Sequence, residues 1–136
     1  MSATEPSSGA VFGGVRVWLR IEGLAVTAAT ILLYARGGNS WLLFALLFLV
    51  PDLSFAGYAL GPRIGAAVYN AFHSYIVPLA LGCGLWMAGR SIAIPLIWIA
   101  HIGFDRLLGY GLKYPTGFGD THLGKLGRSA AKTGIP

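Results

Sequence analysis

Charge is scarce in this chain. Only 11% of its 136 residues are Asp, Glu, Lys or Arg, against about 25% in an ordinary soluble domain. Cysteine is scarcer still. Cys83 stands alone, which excludes an intrachain disulfide and a CxxC metal site and leaves the thiol to packing. There is no GxSxG elbow and no Walker A loop, so two common catalytic templates are excluded. Ser54 and Ser74 accompany His73 and Asp52 in sequence, but no spacing marks them as nucleophiles. The opening MSATEPSSGAVFGG has no base before Arg16, so a cleavable secretory signal is not expected. Its Pro, Ser and Gly predict a short disordered tail over residues 1–15.

What fills the chain is hydrocarbon. Hydrophobic residues make up 55% and the mean hydropathy is +0.66. Four apolar segments, about Val17–Ala35, Trp41–Leu60, Ile64–Ala88 and Ile92–Leu112, approach the roughly 20 residues that cross a bilayer. The connections GGNS, GPR and GRS are short, so sequential neighbours pack antiparallel. The expected fold is an all-α, up-down bundle of four transmembrane helices over residues 16–113. A C-terminal loop and basic tail follow over 114–136, with the end of the chain disordered or resting on anionic lipid.

Net charge is +5, yet no basic groove with interleaved aromatics appears, which argues against nucleic acid. The bases instead follow topology. Arg16, Arg20, Arg63, Arg106, Lys113, Lys125, Arg128 and Lys132 fall on one side, and only Arg36 and Arg90 on the other. The positive-inside rule then puts both termini in the cytoplasm. The expected partners are lipid and either further copies of the chain or another membrane protein.

Small residues predict helix contacts. Gly57, Gly61 and Gly65 are spaced by four, with Pro62 breaking the helix there. Ala25 and Ala29 share a face with Glu22, and Ala45, Ala56 and Ala59 with Asp52. Small side chains let membrane helices approach, so both carboxylates are expected to face the bundle interior.

Ionisable groups at membrane depth are costly and usually functional. Measured from the cytoplasmic end of each span at about 1.5 Å per residue, Glu22 lies about 9 Å deep, Asp52 about 12 Å, His73 about 13 Å, His101 about 16 Å and Asp105 about 10 Å. Four helices thus bring polar groups to one layer. His101 and Asp105 stack four apart on one face. Tyr69, Asn70 and His73 share an arc of about 100°. Imidazoles with carboxylates suit zinc, iron or manganese. The predicted ligands are Asp52, His73, His101 and Asp105, with Glu22 and Asn70 in support. An open position would acidify a bound water for hydrolysis of an amphiphilic substrate. The same groups suit a proton relay in a small-solute transporter.

Pro51 sits beside Asp52 within an apolar run. It has no N–H for the carbonyl of Leu47, and such a carbonyl in a membrane helix needs another partner. A site-forming bend is expected there. Pro78 similarly leaves the Ser74 carbonyl free, and Pro95 falls in a first helical turn. The competing structural reading pairs Arg20, Arg63 and Arg106 with Glu22, Asp52 and Asp105 as a buried ion network, with the protein an accessory subunit of a membrane complex. In the tail, Asp120 and His122 mark either a cytoplasmic turn or a segment folded beneath the bundle that joins the polar layer.

Two stretches, PDLSFAGYALGPRIGAAVYNAFHSY (51–75) and HIGFDRLLGYGLKYPTGFGDTHLGKLG (101–127), resemble a family of small bacterial membrane proteins, the domain-of-unknown-function family 4260. The resemblance covers about Leu19 to Gly127. It implies a helical membrane protein, and that Asp52, Asn70, His73, His101, Asp105, Asp120 and His122 belong to family motifs. It implies no activity.

Overall fold

The computed structural model describes residues 9–126. Among the described residues are five α-helices, one long 3-10 helix and a small hairpin: α1 (Gly13–Arg36), α2 (Trp41–Leu47), the 3-10 helix (Val50–Leu60), α3 (Pro62–His73), α4 (Ile76–Met87), α5 (Ala93–Leu108), β1 (Asp120–Thr121) and β2 (Gly124–Lys125). Three helical stretches, Gly13–Arg36, Trp41–Leu60 and Pro62–Met87, are long and apolar enough to cross a membrane. The fourth expected span falls short. α5 has 16 residues, below the roughly 20 a bilayer requires, because Gly109 turns left-handed at φ 90 and ends it.

α5 is the central element. Its buried residues include Leu96, Ile97, Ala100, His101, Ile102, Gly103 and Arg106. α1 packs along it through Gly23 and Gly103. A Cβ added to Gly23 would come within 2.7 Å of Gly103 O and of Arg106 Cβ. One added to Gly103 would come within 2.8 Å of Thr27 Oγ1. The backbones meet where neither helix has a side chain, as small residues allow in membranes. The buried face of α1 is therefore Gly23, Thr27, Thr30 and Tyr34. Ala25, Ala29 and Glu22 are exposed instead, which corrects the expected interior face. The alanine pattern gave the wrong side because threonine also packs closely: Thr27 Oγ1 donates to Gly23 O at 2.7 Å, folding its hydroxyl onto its own helix. Ala45, Ala56 and Ala59 are exposed too, while Asp52 is half-buried.

Two breaks interrupt the second and third stretches. The first follows α2. Pro51 enters a 3-10 helix, whose bonds reach back three residues. The carbonyl it leaves without its own N–H is then that of Phe48, one residue beyond the expected Leu47. The second break is at Ser74, in an extended conformation at φ −98, ψ 153. α4 begins two residues later, so Pro78 falls in its first turn, where N–H groups have no helical partner anyway. The carbonyls at the broken end of α3 are met by α5: Trp98 Nε1 donates to Phe72 O at 2.7 Å and Arg106 donates to His73 O at 2.8 Å.

The chain after α5 folds back on α3. Asn70 Nδ2 donates to Lys113 O at 2.8 Å, and Lys113 N returns a bond to Asn70 Oδ1 at 2.7 Å. β1 and β2 form an antiparallel hairpin, and Lys113 bridges to Thr121. Residues 9–12 join this platform: Val11 N donates to His122 O at 2.8 Å, and Tyr114 Oη to Gly9 O at 2.8 Å. The disorder expected of the tails thus does not extend to residues 9–12 or 124–126. Residues 1–8 and 127–136 lie outside the described residues.

Candidate metal centre

Asp52 comes from the 3-10 helix, His73 ends α3, and His101 and Asp105 stand one turn apart on α5. One ligand atom from each lies within 4.8 Å of all the others. His73 Nε2 is 3.3 Å from Asp52 Oδ1 and 3.5 Å from Asp105 Oδ2. His101 Nε2 is 3.3 Å from Asp52 Oδ1 and 3.2 Å from Asp105 Oδ2. The two Nε2 atoms are 3.2 Å apart. Zinc with nitrogen and oxygen ligands at about 2.0–2.2 Å gives tetrahedral edges of about 3.3–3.6 Å. Three of the five separations fall within that range, and the other two, at 3.2 Å, lie just below it.

The orientation of the rings also suits a cation. His73 Nδ1 lies 2.9 Å from Tyr69 O. A carbonyl only accepts, so Nδ1 carries the proton and Nε2 presents its lone pair to the cluster. The Tyr69 ring stacks on the imidazole at 3.8 Å, and Arg106 fixes the His73 carbonyl from the other side. His101 packs edge-on against Phe48. Its Nδ1 is buried and meets no hydrogen-bond partner among the described residues. The His73 lone pair and two carboxylate oxygens converging on one point repel one another unless something positive, a cation or the proton of His101 Nε2, lies between them.

Side-chain exposure grades across the cluster. His73 is 0% exposed, His101 2%, Asp105 14% and Asp52 37%. Access is from the Asp52 edge.

The arginines do not form the expected ion network. Among the described residues, every base within ion-pair distance of a carboxylate is His73 or His101. Arg20 Nε donates to Leu107 O at 2.8 Å, and Arg106 to the carbonyls of Tyr110 and His73. Both guanidinium groups serve backbone carbonyls, those of Leu107 and His73 at helix ends and that of Tyr110 just beyond α5.

The supporting residues predicted from sequence scatter. Glu22 is exposed on α1, outside the cluster. Asn70 holds the Lys113 backbone rather than a ligand. Asp120 accepts from Thr116 Oγ1 at 2.7 Å, within its own loop. His122 Nδ1 accepts from Leu112 N at 2.9 Å. The tail does fold against the bundle, but these two side chains are used in holding its turn. Burial, with help from nearby Arg106, pushes the His122 imidazole below its ordinary value. Ser54 and Ser74 make no hydrogen bond to His73 among the described residues.

Lys113 was missed as part of the surroundings. It is 4% exposed, and its ammonium lies over the rings of Phe118 at 3.7 Å and Tyr69 at 4.9 Å. Burial lowers its pKa, and Asp105 acts in the opposite direction. Trp98 was likewise missed. Nothing in sequence spacing signals either: Trp98 acts on the Phe72 carbonyl of a distant helix, and Lys113, whose ammonium donates to Phe118 O in its own loop, is brought to Tyr69 only by the fold.

The comparisons agree with the motifs. The chain belongs to the family described as Domain of unknown function (DUF4260), which matches residues 16–126. No curated protein and no solved structure matches the chain.

Proposed function

We propose that this is a membrane-embedded divalent-metal protein, with zinc held by Asp52, His73, His101 and Asp105. The observation that carries the reading is the set of five ligand-to-ligand separations between 3.2 and 3.5 Å. Two carboxylates balance the ion's charge, which matters at membrane depth. The half-exposed Asp52 is the ligand able to give way to water or substrate. A metal-bound water there would serve hydrolysis of an amphiphilic substrate. In this reading four segments span the bacterial inner membrane, α5 using residues beyond its helical part, and both termini are cytoplasmic.

Elemental mass spectrometry of the detergent-purified protein tests it. Near-stoichiometric zinc is expected, and none in a folded His73→Ala/His101→Ala double variant. No metal in the wild type after reconstitution with zinc, iron or manganese would overturn it. The second reading is a proton-linked carrier, favoured by the contact of half-exposed Asp52 with two buried imidazoles. It requires Asp52→Asn to change the pH dependence of solute flux in a protein that binds no metal.

A further inference from the structure

A half-enclosed cavity of about 90 Å³ lies between the 3-10 helix, α3 and α5. Val50, Pro51, Phe72, Ile94, Ile97 and Trp98 line it. Pro51 and Phe72 directly precede Asp52 and His73 in the chain. Ile97 stands one turn before His101 on the same face of α5. Three walls of the cavity are thus tied to three of the four cluster residues. Trp98 carries the one N–H donor among those six side chains, and Phe72 O already uses it. Apolar cavities of this kind hold hydrocarbon rather than water.

Building on the metal reading, we propose that this groove binds the first carbons of an acyl chain, so that the substrate of the site is a lipid-class molecule. The rim supports that choice of occupant. Val50 is 44% exposed and Ile94 52%; Val50 and Phe72 stand on stretches apolar enough to cross a membrane, and Ile94 opens α5 beside them. A chain entering there brings its polar end to the cluster, whose most exposed ligand, Asp52, follows Pro51 directly. The size sets the reach. A cavity of about 150 Å³ takes the six carbons of benzene, so about 90 Å³ takes three or four methylenes.

A series of straight-chain hydroxamates, from acetohydroxamate to decanohydroxamate, tests this on the zinc-loaded protein in detergent. The hydroxamate head ligates zinc, and the tail probes the groove. Affinity should rise about fourfold per methylene over the first three or four carbons and then level off. Ile94→Trp and Val50→Trp alter exposed rim positions, so folding should survive. Each should abolish the rise while leaving acetohydroxamate binding unchanged. Phe72→Ala should extend the rise by further carbons. Zinc and acetohydroxamate binding with no chain-length effect would overturn the groove and spare the metal centre. A rise equally steep in the rim variants would also overturn it, since it would report partition into micelles. Absence of zinc and of all hydroxamate binding would overturn both readings together.

Discussion

The two halves of the candidate centre are held in different ways. His101 and Asp105 stand four apart on a regular helix, where periodicity alone stacks them. Asp52 and His73 stand at irregularities, one just after Pro51 in a 3-10 helix and the other on the last turn before the Ser74 break. The regular half needs no outside help. The irregular half does: Arg106 and Trp98, both on α5, donate to the carbonyls of His73 and Phe72. One helix therefore supplies two cluster residues and the donors that fix a third. A break costs a membrane protein hydrogen bonds, and here they are replaced from the helix that carries the rest of the site.

The largest expected effect tests whether the halves are equal partners in metal binding. His73→Ala and His101→Ala should each lower zinc affinity more than about 100-fold, beyond the range seen when only an outer partner is lost. Competitive chelator titration measures this. Similar losses from the two changes would make the halves equivalent despite their different construction. Asp105→Asn should cost more affinity than Asp52→Asn, because Asp105 is 14% exposed and Asp52 37%. The reverse order would place the essential carboxylate on the irregular side.

Next comes the break itself. Pro51→Ala restores an N–H and favours continuation of α2 as α-helix. Asp52 would then rotate away from the imidazoles. Zinc affinity should fall by about 10- to 100-fold, the range for loss of an orienting interaction, while thermal stability stays level or rises. Unchanged affinity would mean that neighbours, not Pro51, set the position of Asp52.

These cases also mark how far the sequence could be read. His101 and Asp105 were legible because helical spacing is a local property. Asp52 and His73 were legible as polar residues at matching depth, and the break beside Asp52 was legible from Pro51. The Ser74 break was not visible. Pro78 pointed to the Ser74 carbonyl, whereas the carbonyls met from α5 at this break are those of Phe72 and His73, and such pairings between distant segments leave no spacing to read. Glu22 was misplaced for a related reason. Alanine and threonine both suit close packing, and only the Gly23–Gly103 approach decides which face of α1 is inward. The arginines were read as counter-ions because charge balance is visible in a sequence, whereas open carbonyls at helix ends are not.

A smaller effect isolates the props of the irregular half. Arg106→Met leaves the buried His73 carbonyl without its donor, at about 1–3 kcal/mol. Trp98→Phe removes one hydrogen bond to Phe72 O, at about 0.5–1.5 kcal/mol. Both should weaken zinc binding and chemical stability together, as read by denaturant unfolding with and without zinc. Loss of stability with full zinc affinity would separate the break from the site.

The smallest effect concerns the platform under the irregular half, where His122 Nδ1 accepts from Leu112 N. Burial and nearby Arg106 hold this imidazole below its ordinary value of 6.5. The unfolded chain therefore binds the extra proton first as pH falls. The stability this group contributes is present above about pH 6.5 and is lost progressively below it, toward the lower folded value. The cluster histidines titrate as well, so the wild-type curve alone does not isolate it. His122→Asn keeps an acceptor for Leu112 N and removes the titration. The difference in melting temperature between wild type and variant should be nearly flat above pH 7 and should shift against the wild type between pH 6.5 and 5. A difference that stays flat through that range would mean that the platform's imidazole does not contribute to acid sensitivity, leaving the cluster to account for all of it.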